Sequence, residues 1–95
     1  MQAFHLPPST IEAFQRDGAV CIRQLFSADE VALLERGIEH NLASPSERAK
    51  VASQADDPGW FFEDFCNWQD NPDYRRFIFN SRVGHVASQL MQSDN

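Results

Sequence analysis

The side chains best suited to metal chemistry in this chain are three histidines, His5, His40 and His85, set among fourteen Asp and Glu residues. Two histidines and one carboxylate on one face of a metal make the common non-haem iron site. Its compact signature is a carboxylate two places after a histidine, but those places hold Pro7, Leu42 and Ala87. No facial triad is expected from such a motif. Accordingly, no residue of the chain is assigned a catalytic, cofactor-binding or metal-ligating role. His40 reads as a surface residue near a helix end, where its charge suits the dipole, and His85 as a structural neighbour of Val86. Cys21 and Cys66 are too few and too far apart for a zinc ribbon or a Cys-x-x-Cys redox pair. Cys21 lies in an apolar run and is expected as a buried thiol.

The balance of eight basic against fourteen acidic residues gives a net charge of -6. That sign opposes the phosphate attraction on which general nucleic-acid binding rests, and it opposes adsorption to anionic membranes. Neither nucleic acid nor membrane is an expected partner. A signal peptide and a membrane-length apolar run are both missing from the pattern, so a reducing cytoplasm is the expected compartment. Ninety-five residues suit one small domain or the leading part of a larger one. A chain of this size buries only about 60–65% of its unfolded surface, which leaves little margin for autonomous stability.

Punctuation along the chain predicts mainly helices. Pro7-Pro8 is followed by Ser9-Thr10-Ile11-Glu12, which has capping-box spacing, and Gly18 is placed to end that helix in a left-handed turn. Ala19–Arg23 is a strand candidate, with Val20 and Ile22 on one face and Cys21 and Arg23 on the other. Ser27 and Glu30 form a second capping box, and Phe26 is expected to staple onto Val31. Val31, Leu34, Ile38 and Leu42 recur at helical spacing and are expected to form the buried stripe. On that reading Leu34→Ala costs about 2–4 kcal/mol. Gly37 weakens the helix by about 1 kcal/mol relative to Ala; a close packing contact and a tolerated local weakness explain it equally well.

Further along, a short helix is expected around residues 46–54 inside a polar connection, and a short extended segment around 60–65. Asn71-Pro72 is a helix start with its cap and first-turn proline in place. Tyr74, Phe77 and Ile78 are expected to face inward and Arg75 and Arg76 outward. Ser81 is expected to cap a last helix packed through Val83, Val86 and Leu90. The dense aromatics Phe61, Phe62, Phe65 and Trp68 are expected to cover an adjacent surface. Left without that neighbour, they would form a patch that promotes self-association.

Taken in order, these segments resemble the N-terminal region of phytanoyl-CoA dioxygenase-like proteins. The resemblance rests on Phe14-Gln15-Arg16-Asp17-Gly18-Ala19-Val20-Cys21-Ile22-Arg23 and on Leu25-Phe26-Ser27-Ala28-Asp29-Glu30-Val31. It continues through Phe61-Phe62-Glu63-Asp64-Phe65-Cys66-Asn67-Trp68, the region of Tyr74 to Phe79, and the helix from Ser81 to Met91. It covers nearly the whole chain.

The resemblance implies a fold that is mainly α with short β segments: the N-terminal helical support of a double-stranded β-helix dioxygenase, its barrel core absent. Residues 1–95 are then one part of a dioxygenase-like domain with no internal boundary. A complete homologue is implied to use Fe(II), molecular oxygen and 2-oxoglutarate, generally to hydroxylate a small molecule or an acyl substrate. The ligands and the cosubstrate-binding arginine are implied to lie downstream. Arg16, Arg23, Arg75 and Arg76 do not match that arginine. The chain alone is therefore expected to be inactive and to hold no cofactor. Its expected partners are a β-rich domain or a second copy, through the aromatic surface. The alternative is a small helical interaction module or structural subunit derived from the same region.

Overall fold

The computed structural model describes residues 4–94. Four helices carry the chain: α1 (Pro8–Asp17), α2 (Ala28–Ala43), α3 (Pro72–Asn80) and α4 (Val83–Met91). Between α2 and α3 lie a two-stranded antiparallel ladder, β1 (Lys50–Val51) with β2 (Phe62–Glu63), and a 3₁₀ turn at Trp68–Asp70. The mainly helical expectation holds.

Helix α1 begins at Pro8, whose missing N–H is no loss in the first turn. Ser9 therefore falls inside the helix, and the expected capping box at Ser9 and Glu12 does not form; no side chain caps this end. Gly18 ends α1 as expected, at φ 77°, with its N–H donating to the Phe14 carbonyl at 2.8 Å. The strand expected over 19–23 is absent. Its alternation survives, with Val20 and Ile22 half-buried and Cys21 and Arg23 exposed. No neighbouring strand offers a ladder, however, and Gln24 turns the chain at φ 56°. Cys21 is exposed rather than buried, because its side of this extended run faces solvent.

The Ser27 capping box forms in both directions: Glu30 N–H donates to Ser27 Oγ at 3.1 Å, and Ser27 N–H to Glu30 Oε1 at 2.8 Å. Phe26, just ahead of α2, meets the Phe77 ring of α3, centroids 5.1 Å apart. The buried line of α2 is Leu33 and Gly37. Val31, Ile38 and Leu42, expected inside, are 45%, 51% and 44% exposed, and Leu34 is only half-buried. The helix is apolar on two sides, and α3 lies against the narrower one.

Gly37 is what lets α3 approach. A Cβ there would stand 2.6 Å from Cδ1 and Cε1 of Tyr74, closer than real contacts come. Beside it, the buried Asn71 uses both ends of its amide. Its Oδ1 accepts from the N–H groups of Asp73 at 3.1 Å and Tyr74 at 3.2 Å, capping α3, while Nδ2 donates to the Gly37 carbonyl at 2.9 Å. Phe77 is buried behind this contact; Tyr74 is half-buried, Ile78 is 40% exposed, and Arg75 and Arg76 face solvent. Ser81 is buried and turns the chain, its N–H donating to Phe77 O at 3.0 Å and its Oγ accepting from Val83 N at 3.2 Å. Val86 is the buried residue of α4, with Val83 and Leu90 half-buried beside it.

The chain's beginning lies on α4. Leu6 N–H donates to Gln89 Oε1 at 2.6 Å, and Gln89 Nε2 to the Phe4 carbonyl at 2.5 Å. Gln15 Nε2 donates to Leu90 O at 2.6 Å, tying α1 to the same helix. The helix expected around 46–54 is replaced by a turn and β1, since the groups of Ser46 and Arg48 are engaged by residues 64–66. The extended segment expected over 60–65 is present, narrowed to β2, with Lys50 paired to Glu63 across the ladder at 3.2 Å.

Only Leu6, Leu33, Phe77 and Val86 make up the buried apolar core of the described residues. The radius of gyration is 16.4 Å, against about 12 Å for a compact domain of this length. The helices pack pairwise and leave much apolar surface open.

Three substitutions test the α2 face. Gly37→Ala gains about 1 kcal/mol in helix propensity but forces a methyl into Tyr74, so a net destabilisation of about 1–2 kcal/mol is expected. Leu33→Ala is expected to cost about 2–4 kcal/mol, and Leu34→Ala distinctly less, reversing the order expected from periodicity. Urea unfolding of the three variants checks both statements.

Candidate functional site

The three histidines sit apart in the fold: His5 ahead of α1, His40 in the last turn of α2 and His85 in the first turn of α4, all exposed. Among the described residues no group of three His, Cys, Asp or Glu side chains is placed to hold a metal ion. The arginines considered from sequence are spread similarly. Arg16 is paired with its neighbour Asp17 at 2.9 Å, which raises its pKa further, and Arg23 is exposed in the turn after α1.

Two polar constructions were not visible as motifs. The first is a carboxylate hub at Asp64. It accepts from Ser46 N at 2.9 Å, from Ser46 Oγ, from Phe65 N at 2.8 Å and from Asn67 Nδ2 at 3.4 Å. Arg48 completes the fastening, with Nε to Phe65 O at 3.0 Å and Nη2 to Cys66 O at 2.8 Å. Held this way, Cys66 adopts φ 55°, an unusual conformation for a residue with a Cβ. The Ser46 hydroxyl, seconded by backbone N–H donors and the nearby Arg48 charge, lowers the Asp64 pKa below the ordinary aspartate value. The partners lie eighteen positions apart in sequence, so no local spacing announces them.

The second construction is on the outer side of α3. The Arg75 guanidinium lies against two rings, 5.7 Å from the centroid of Trp68 and 5.2 Å from that of Phe79. The rings themselves meet edge to face at 5.7 Å. Neither Arg75 nor Arg76 has a carboxylate partner among the described residues. Of the four aromatics expected to act as a surface, Phe61 and Phe65 are largely exposed, while Phe62 and Trp68 are half-buried. Trp60 stacks on Phe62 at 5.7 Å and is itself 64% exposed. Chemically, this group offers ring faces and a guanidinium charge at the surface.

No helix of the described residues is long and apolar enough to cross a membrane. No family model and no solved structure matches the chain. Among curated proteins it is similar to the ectoine dioxygenase of Stutzerimonas stutzeri (strain A1501), with 31% identity over 85 residues. That alignment takes in 88% of this chain and spans 28% of the relative's length.

The Asp64 hub yields a pH dependence. A carboxylate whose pKa is lowered by folding adds stability above its ordinary value, and that stability is lost as pH falls towards the lowered one. The parent is therefore expected to lose stability over this acid window more steeply than Asp64→Asn. At neutral pH the variant is expected to be the less stable. Urea midpoints measured across the acid range check both; parallel curves for the two proteins would remove Asp64 from this role.

Proposed function

We propose that this chain is the N-terminal helical support of a small-molecule Fe(II)/2-oxoglutarate-dependent oxygenase. The observation that carries the reading is the match to a dioxygenase over most of this chain and little more than a quarter of that relative. The resemblance to phytanoyl-CoA dioxygenase-like proteins from Phe14 to Met91 runs over the same stretch. Residues 1–95 act as one part of a single dioxygenase-like domain.

The described residues do not fit an iron site, since the histidines lie on separate elements and no ligand cluster forms. In this reading the metal and 2-oxoglutarate belong to a β-rich polypeptide that docks on the helices. The stripe of Val31, Ile38 and Leu42 supports that role: it is an apolar face on the longest helix, left 44–51% exposed among the described residues. Burying such side chains stabilises by about 1.5–3 kcal/mol each, which rewards a covering sheet. A second reading, a helical interaction module or structural subunit, draws support from the exposed rings and unpaired arginines of α3.

A chimera tests the proposal, with this chain replacing the matched part of the Stutzerimonas protein. It is expected to oxidise the relative's substrate with 2-oxoglutarate turnover, while the chain alone neither binds Fe(II) one to one nor forms succinate above background. Ile38→Lys with Leu42→Lys is expected to change the isolated chain's stability by no more than about 0.5 kcal/mol per site, as exposed positions do. In the chimera the same pair is expected to abolish most of the activity. Full activity despite both lysines would remove α2 as the docking face. An inactive but folded chimera would count against the oxygenase reading itself.

A further inference from the structure

Two surface patches of this molecule complement each other yet do not meet within it. The loop before β2 carries Asp56 and Asp57, both exposed, and the exposed ring of Trp60. The outer side of α3 carries Arg75, Arg76 and the 61% exposed ring of Phe79. Neither acid is in an ion pair among the described residues, and neither arginine is. Asp57 spends one oxygen on the Gln54 N–H at 2.6 Å and keeps the other. Each patch also sets its ring beside a shallow, open depression, one next to Trp60 and one next to Phe79. One patch is acidic and aromatic, the other basic and aromatic.

From this complementarity we infer that the chain pairs with a second copy of itself, the 56–60 loop of one copy seated on the α3 face of the other. The Trp60 ring enters the depression beside Phe79, and the Asp56 and Asp57 carboxylates meet the Arg75 and Arg76 guanidinium groups. Arg75 already packs against both Trp68 and Phe79, so less freedom is lost when a carboxylate reaches it. Only eight residues separate Trp60 from Trp68, at most about 28 Å of extended chain. A twofold arrangement then uses both patches on each copy, with the same contact made twice. The pairing does not depend on the oxygenase reading, and α2 plays no part in it.

Charge reversal in mixed partners tests the pairing by sedimentation velocity over a concentration series of the 95-residue chain. Arg75→Glu with Arg76→Glu makes both patches acidic; Asp56→Arg with Asp57→Arg makes both basic. Each doubly substituted variant alone is expected to associate at least about ten-fold more weakly than the parent. An equimolar mixture of the two is expected to recover pairing as a heterodimer. Net charge cannot explain that recovery, because the parent carries -6 and both variants stay negative. Trp60→Ala, at an exposed position, is expected to weaken the parent's pairing at least about ten-fold through loss of its buried ring. A parent that stays monomeric up to its solubility limit overturns the inference. So does a mixture that remains monomeric while both variants keep the parent's far-UV circular dichroism.

Discussion

The buried amide of Asn71 is the contact on which the helical arrangement turns. Its oxygen fixes where α3 starts and its nitrogen fixes α3 against the Gly37 carbonyl of α2. Both halves must be satisfied at once, because an unpaired buried amide costs about 1–3 kcal/mol. The glycine is the other half of the constraint: Tyr74 occupies the space where any larger residue would put its first carbon. Once α3 is seated there, Phe77 meets Phe26 and the Ser81 turn aims α4 back along the molecule. Position and register of three elements thus follow from one amide and one missing methyl group.

Helix ends were the most legible feature of the sequence, because capping chemistry is local. Ser27 with Glu30, Gly18, and Asn71 with Pro72 all act where their spacing puts them. Ser9 shows the limit of the same rule: the Pro7-Pro8 pair starts α1 earlier than the serine could. Which face of a helix is buried was harder to read. The apolar spacing of α2 is genuine, but periodicity marks a face that suits burial and cannot say which neighbour arrives. Here α3 takes the Leu33–Gly37 line and leaves the richer stripe open.

Long-range polar contacts were not legible at all. The stretch after Pro45 has ordinary helix-forming residues, yet Ser46 and Arg48 are committed to Asp64, Phe65 and Cys66 and the segment extends into β1 instead. Tertiary hydrogen bonds outweigh the few tenths of a kcal/mol per residue in helix propensity. The strand expected over 19–23 failed for the converse reason, since its alternation found no partner. The histidines were legible in one respect, that no compact ligand motif joins them. Their spread over three separate parts of the fold follows from topology, which spacing cannot reveal. The Trp68–Arg75–Phe79 group was half legible: the aromatics stood out, but the arginine against them did not.

The double hydrogen bond from Gln89 to the backbone of Phe4 and Leu6 joins residues 85 and 83 positions apart. During vectorial synthesis this bond has no partner until nearly the last helix has emerged. At about 5–20 residues per second, the opening segment waits roughly 4–17 s for it. Leu6, the only buried apolar residue ahead of α1 among those described, lacks its Gln89 anchor throughout that interval. Phe4 and Leu6 are thus secured long after they are made, and α1 relies on its own proline start and glycine stop until α4 arrives. Stalled nascent chains cut by protease near Leu6 at every length short of residue 89 would record that order.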